Sequence, residues 1–491
     1  MGQPNQLRRQ TIAGFLFTGV ELVGNQGLRL AIQILLARLL VPADFGLIGM
    51  LMVFTALSQS LIDSGFQNAL IREDRVTPAA YATVFWFNIG LSVGLYAVLY
   101  LSAPAIAGFY RTPDLVMTLR VMEVILPINA LSLISRTILT RQMAFKAQMK
   151  INLVSSLIAG IVAVGLALNG FGVWSMVWQM IIGQLLQTVG FLKTAQWHPV
   201  KQLDLKALSR LFSFGWKLTL AGLINTLYNN LLTMIIGRFY SVTTLGYFTN
   251  AQKISQSVTD TSTMAIQKVS YPAFSQQKAD LTALKHGYQK VILHAVYLLF
   301  PVLVGVGLLS DQILGLVFGP QWLPAAQYLM PLCLAGLFFP LQALNLNILQ
   351  VVGRSDWNLR LEFVEKGSGL LLFGTAFLLH LSLAGLMWLL VAHAAFSYLV
   401  DAAVAGRFIQ FGALAQLKSG WRITLLVVGM GIGVKGLTVM LPMSWWALGI
   451  EILVGIGLYV GGSWLMRLHE FHSCWQMVNR LLAKRRGLAV D

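Results

Sequence analysis

Apolar runs of about twenty residues or more recur along this chain from residue 12 to residue 466, parted by short polar breaks. A run of that length lets one helix cross the hydrocarbon of a bilayer. The breaks set out about fourteen such helices, near 12–38, 45–70, 81–108, 115–138, 149–168, 171–193, 210–238, 244–270, 288–310, 325–350, 359–380, 383–408, 420–440 and 444–466. Only 11% of the 491 residues are charged, where a soluble protein carries about 25%. No polar linker divides the chain as a soluble protein of this length would be divided. The sequence therefore predicts an all-α polytopic membrane protein, whose substrate lies in, on or across a membrane.

The loops carry the charge. The net charge of +17 would suggest nucleic acid in a soluble chain, but here lysine and arginine gather on every second loop. Arg72, Arg75, Arg141, Lys146, Lys201, Lys206, Lys285, Arg354, Arg407 and Lys418 stand on one side, while the alternate loops hold only Arg38, Arg111 and Arg238, each at a helix edge. This asymmetry places both termini in the cytoplasm and accounts for the positive charge without nucleic acid as a partner. The spans near 168, 380 and 440 close with the short turns NGFG, HLSLAG and LPMS. The opening MGQPNQLRRQTIAGFLF reads as a signal anchor that becomes the first helix, and Gln6 stands where myristoylation requires Ser or Thr. Cys333 and Cys474 are too far apart to suggest a disulfide framework or a metal.

An internal repeat organises the spans. LLARLLVPADFG at 35–46 aligns without a gap on IIGRFYSVTTLG at 235–246, an offset of 200, with Arg38 on Arg238, Gly46 on Gly246 and, further on, Gln67 on Gln267. Six helices separate the copies, so they keep the same orientation as a parallel repeat. The expected architecture is two pseudo-symmetric six-helix lobes around a central cleft, 1–200 and 201–410, followed by a helix pair at 411–468 and a basic tail at 469–491 that lies on anionic headgroups. The pairs Gly90/Gly94, Gly429/Gly433 and Gly457/Gly461 suit close packing within one chain, so a monomer is expected.

Several spans carry polar residues four apart. Glu21, Asn25, Arg29 and Gln33 form one ridge on the first helix, and Asn225, Asn229 and Thr233 answer at the repeat offset, with Lys217 two turns earlier. Gln59, Asp63 and Gln67 follow on the second helix; Gln252, Gln256 and Asp260, with Lys253 beside them, on the eighth; Arg120 and Glu123 on the fourth. A charge at the bilayer centre costs roughly 2.5–3.5 kcal/mol, so these groups must face protein or water. One reading is ion pairing between packed helices. The other is a cleft in which Arg29, Asn25, Gln33, Arg120, Lys217, Asn225, Asn229 and Lys253 bind substrate. Arginine and lysine suit phosphate, and amides suit sugar hydroxyls. A polyprenyl-pyrophosphate-linked oligosaccharide has both features and a tail that stays in the bilayer.

No G-x-x-x-x-G-K-[ST] and no H-E-x-x-H occurs, so neither a built-in ATPase nor a metal centre is expected, and no cofactor. A proton or sodium gradient could drive transport through Glu21, Asp63, Asp260 and Glu365, with Glu362 and Asp401 as further buried carboxylates. A polysaccharide polymerase would need a catalytic soluble loop or domain, but the longest loops, near 194–209 and 271–287, run to only about fifteen residues, and none of the outward loops, which are mostly shorter, combines acidic and histidine residues. A small-cation or multidrug exporter would need a carboxylate-biased cleft, whereas Arg29, Arg120, Lys217 and Lys253 favour an anion.

LLARLLVPADFGLIGM at 35–50, LSQSLIDSGFQNALIRE at 57–73 and LVFGPQWLPAA at 316–326 make the chain resemble the polysaccharide transport family, the Wzx-type flippases of the multidrug/oligosaccharidyl-lipid/polysaccharide exporter superfamily, and within it the colanic-acid and teichuronic-acid exporters. The resemblance implies an inner-membrane flippase, not an enzyme. It would move undecaprenyl-pyrophosphate-linked repeat units outward by alternating access for exopolysaccharide or lipopolysaccharide synthesis, alongside polymerase and export machinery. The family has no tight catalytic signature, so the resemblance implies no catalytic residue. In VPADFG, Asp44 is expected to cap the next helix, and FGPQWLP to be an interfacial loop anchored by Trp322.

Overall fold

The computed structural model describes residues 24, 26–63, 66–73, 76–379 and 381–485, and every regular element among them is helical. Eleven helices in this part are long and apolar enough to cross a membrane. Close contacts divide the chain into two units, Met1–Asn250 and Ala251–Asp491.

The first unit runs from α1 (26–39) through α2 (Pro42–Asp63), α3 (Phe66–Arg72), α4 (Pro78–Tyr110), α5 (Leu115–Met122), α6 (Ile125–Arg141), α7 (Phe145–Leu168), α8 (Val173–Ala195) and α9 (Leu205–Phe239) into the start of α10 (Val242–Gln276). Residues 201–250, which the repeat assigns to the second lobe, pack with this unit. Its core joins Ile62, Phe66 and Leu70 to Val84, Phe85, Leu126, Leu133 and Leu211. Helices start where capping predicts. Thr77 accepts from the Ala80 amide at 3.1 Å, and Asp204 from the Ala207 amide at 2.9 Å, which satisfies amides that a helix start leaves without partners. α5 and α6 form one span, Leu115–Arg141, broken at Glu123–Val124.

The second unit continues through α11 (Leu281–Leu308), α12 (Ser310–Gln312), a π turn (Ile313–Phe318), a 3-10 turn (Pro320–Ala325), α13 (Ala326–Gly336), α14 (Phe339–Val351), α15 (Ser355–Leu378), α16 (Leu383–Ile409), α17 (Ala413–Met440), α18 (Trp445–Leu465) and α19 (His469–Arg485). Its core gathers Phe274, Tyr288, Ile292, Leu344, Ile348, Tyr398, Ile409, Val427 and Tyr459.

Two of the short turns stand where the sequence places them, α7 passing to α8 across 169–172 and α17 to α18 across 441–444; of HLSLAG at 380–385, Leu383, Ala384 and Gly385 already belong to α16, and His380 lies outside the described residues. In the first, Gly170 and Gly172 have φ of 80° and 53°, a region open to glycine without the steric cost a side chain meets. The remaining expected spans are the first, of which only part is described, and α10 and α15, which are helical and long but more polar than the eleven.

Two local expectations resolve differently. Asp44 is the third residue of α2, not its cap, and its Oδ2 accepts from the Val41 amide at 3.3 Å. That is the inward-reaching half of a capping box. Trp322 is fully buried within the protein rather than anchoring an interface, because the π and 3-10 turns fold its segment inward beside Phe318 and Ala325.

Candidate functional site: polar ridges on apolar helices

The polar ridge of α2 faces α6 and the break before it. Thr55 Oγ1 donates to Glu123 Oε1 at 2.8 Å, deep in the unit. One turn on, Gln59 Oε1 accepts from Asn129 Nδ2 at 2.7 Å, and Asn129 Oδ1 in turn accepts from Gln184 of α8 at 3.2 Å. Next, the Arg136 guanidinium reaches Asp63 at 3.9 Å and Gln67 at 3.5 Å. At the end, Arg141 donates to the carbonyls of Leu70 and Glu73, while Glu73 pairs with Arg210 at 2.5 Å. Four-residue spacing on α2 thus produces a ladder of polar rungs. Each rung meets a partner in a setting where an unpaired group would be costly. Asp63, a sequence candidate for ion coupling, belongs to this ladder. Arg120, a candidate for substrate binding, donates to the Tyr100 carbonyl at 3.2 Å and lies 4.5 Å over the Tyr100 ring, joining α5 to α4.

The ridges of α1 and α9 differ. Arg29 is exposed, and Gln33, half-buried, donates to Asn250 Oδ1 at 2.5 Å. Asn250 is fully buried. On α9, Lys217, Asn225 and Asn229 are exposed, and only Thr233 at the end of the ridge is buried. Among the described residues no side-chain hydrogen bond or ion pair holds Arg29, Lys217, Asn225 or Asn229. Lys217, Asn225 and Asn229 lie within the membrane-crossing stretch Gly215–Phe239, and an ammonium cannot rest in hydrocarbon there without a large cost. This face is chemically suited to water and to an anionic, hydroxyl-bearing ligand. Glu21 and Asn25 lie outside the described residues.

In the second unit, α10 bonds to α13 through Ser255 Oγ, which donates to the Leu332 carbonyl at 3.0 Å. Lys253 is half-buried and Asp260 exposed on the same helix. Glu365 lies on α15 against Asp401 of α16. Nearby, Tyr288 donates to Asn345 Oδ1 at 2.6 Å, Gln416 Nε2 to the same oxygen at 3.1 Å, and Tyr398 to Gln416 Oε1 at 3.1 Å. The structure therefore brings Gln33 to Asn250, and Glu365 to Asp401. Asn129, Gln184, Asn345 and Gln416 were not singled out by sequence. Their only signal is an amide on an apolar helix, which belongs to no four-residue series.

At the start of α15, the Arg354 guanidinium, 3.2 Å from Asp356, holds that carboxyl below its usual range. In α19, burial pushes the Cys474 thiol up, with Glu470 adding to it. Among the described residues no three His, Cys, Asp or Glu side chains are grouped to hold a metal.

The polysaccharide biosynthesis protein family matches residues 35–327 of this chain. The chain is 27% identical over 388 residues to the teichuronic acid biosynthesis protein TuaB of Bacillus subtilis strain 168, covering 77% of this chain and 78% of that protein. It is 24% identical to the lipopolysaccharide biosynthesis protein WzxC of Escherichia coli K12, covering 67% and 68%. Its fold is similar to that of lipid II flippase MurJ in an inward closed conformation, with a TM-score of 0.77 and 15% identity over 92% of this chain and 98% of that one. A multidrug resistance MATE family transporter matches with a TM-score of 0.60 and 16% identity over 78% and 94%.

Proposed function

Because this chain belongs to the polysaccharide biosynthesis protein family, we propose that it is a flippase that carries lipid-linked oligosaccharide repeat units across the bacterial inner membrane for cell-surface polysaccharide synthesis. The observation that carries this reading is the open polar face of a membrane-crossing helix: Lys217, Asn225 and Asn229 on α9, with Arg29 exposed on α1. Cations suit a pyrophosphate, and amides suit sugar hydroxyls. The relatives named for teichuronic acid and lipopolysaccharide synthesis and the flippase fold support the same reading. A multidrug exporter is favoured less, since the face carries cations and the MATE fold matches less closely.

In this reading two six-helix lobes, 1–200 and 201–410, flank a cleft that opens to one side of the membrane at a time, with the helix pair 411–468 and the basic tail 469–491 attached. Both termini are cytoplasmic. Asn25, Arg29, Gln33, Arg120, Lys217, Asn225, Asn229 and Lys253 line the cleft, and Glu21, Asp63, Asp260 and Glu365 are the carboxyls available to a coupling ion. The protein works as a monomer, performs no covalent chemistry, and hands its cargo to a polymerase.

The test is the leaflet on which lipid-linked units accumulate when the gene is deleted, read with a membrane-impermeant glycosidase on sealed vesicles of known orientation. Units trapped on the cytoplasmic face are expected. Units reaching the outer face unpolymerised would assign the protein to a later step.

A further inference from the structure

The carboxyls of the second unit differ in their partners. Glu362 is ion-paired with Lys366 at 2.5 Å. Glu451 is buried and accepts from Gln312 Nε2 at 3.3 Å. Asp401 is fully buried, and among the described residues no donor reaches either of its oxygens; none reaches Glu365 Oε1 either. Asp401 and the half-buried Glu365 stand on the successive helices α15 and α16, within hydrogen-bonding reach of each other.

The groups around them are committed elsewhere. From α11, Tyr288 faces Asp401 but gives its hydroxyl hydrogen to Asn345. On α16, Tyr398 donates to Gln416 of α17. His393, also on α16, has Nε2 at 3.1 Å from both the Glu365 carbonyl oxygen and Ser368 Oγ. On α15, Glu362 and Lys366 both face Glu365 but are joined to each other. Among the described residues, α14 and α17 meet in this network through the amides of Asn345 and Gln416.

Two carboxylates in contact in a medium of low dielectric cannot both stay ionised. The one cation that faces them, Lys366, is already paired with Glu362, and what the pair lacks is one donor. A carboxylic acid O–H supplies it, since a protonated carboxyl donates where a carboxylate can only accept. We propose that Glu365 and Asp401 form a proton-binding site, in which one proton held between the two carboxyls fastens α15 to α16. Uptake from water forms one O–H bond and removes one negative charge; release to water reverses both, and no other bond changes. With the proton gone, two anions face each other and the helices part. This deepens the flippase reading by giving it a proton-sensitive joint, and it rests on that reading only for the joint's role in transport.

The test is infrared spectroscopy of the purified full chain in lipid nanodiscs at near-neutral pH, reading the carbonyl stretch of protonated carboxylic acids and its shift in deuterated water. Asp401→Asn and Glu365→Gln each place an amide where the proton sat, so the donor is kept and the fold with it. Each variant is expected to lose the same one-carboxyl component, and the double variant is expected to lose no more. Equal bands in wild type and both variants would overturn the proposal. So would loss of the wild-type component when sodium chloride replaces choline chloride at fixed pH, which would make the site a sodium site. Thermal melting gives an independent readout: wild-type stability is expected to fall as pH rises, because the fastening proton leaves, and Asp401→Asn is expected to flatten that dependence. An unflattened profile counts against the site. None of these signals depends on what the protein carries, so their failure leaves the leaflet assay untouched, and the reverse holds too.

Discussion

Gly46 and Gly246, 200 residues apart, close on each other's backbone: a Cβ added to Gly46 would come within 3.0 Å of the Gly246 nitrogen, and one on Gly246 within 3.1 Å of the Gly46 nitrogen. The contact is reciprocal in its surroundings. The Gly46 Cβ would collide with the Val242 carbonyl, and the Gly246 Cβ with the Pro42 carbonyl. Position 42 is to 242 as 46 is to 246, so the start of α2 and the start of α10 meet as two copies of one surface meet across a two-fold axis.

The first prediction concerns this contact. Gly46→Ala and Gly246→Ala each press a methyl group onto a backbone carbonyl, which cannot swing aside as a side chain can. Both should lower the melting temperature of the detergent-solubilised protein. Gly90→Ala, where the added Cβ meets nothing within 4 Å, should leave it unchanged or raise it, with alanine favoured over glycine in a helix by about 0.5–1 kcal/mol.

Thr55→Val removes the hydroxyl that donates to the buried Glu123. An orphaned buried polar group costs about 1–3 kcal/mol, so the variant should melt at a lower temperature than wild type. Thr55→Ser should restore most of the loss; a Val variant as stable as the Ser variant would show that the bond contributes nothing.

Gln33 and Asn250 should be coupled. Either single change to Leu strands one amide beside an apolar chain, whereas the double change removes both polar groups at once. The double variant should therefore be less destabilised than the sum of the singles, as a thermal-melt cycle would measure.

Arg29→Ala and Lys217→Ala should each reduce export of repeat units while leaving membrane insertion intact, since each removes a charge that insertion disfavours. If both grip one pyrophosphate, the double variant should lose less than the product of the two single losses, measured at matched expression. Lys217→Arg should retain more activity than the alanine variant.

The spans were legible because length and apolarity are written directly in the sequence, and the turn at 169–172 because its glycines mark it. The roles of the ridges were not. Gln59, Asp63 and Gln67 share the four-residue spacing of Arg29 with Gln33 and of Asn225 with Asn229, yet the first set is held by Asn129 and Arg136 while Arg29, Asn225 and Asn229 stand open. Spacing fixes which side chains share a face; it carries no information on what that face meets. Trp322 teaches the same lesson at a turn. An aromatic residue flanked by prolines reads as an interface anchor, yet Trp322 is fully buried in a 3-10 turn that follows a π turn, and local sequence announces neither.

The reciprocal contact at Pro42, Gly46, Val242 and Gly246 is the one a dimer of half-length chains would make. In such a dimer every substitution would act twice, once on each side of the axis. Joining the copies into one chain lifts that constraint. Gln33 can bond to Asn250 with no mirror bond at the counterpart positions, which hold Thr233 and Met50, so one side of the axis can carry an interaction that the other lacks.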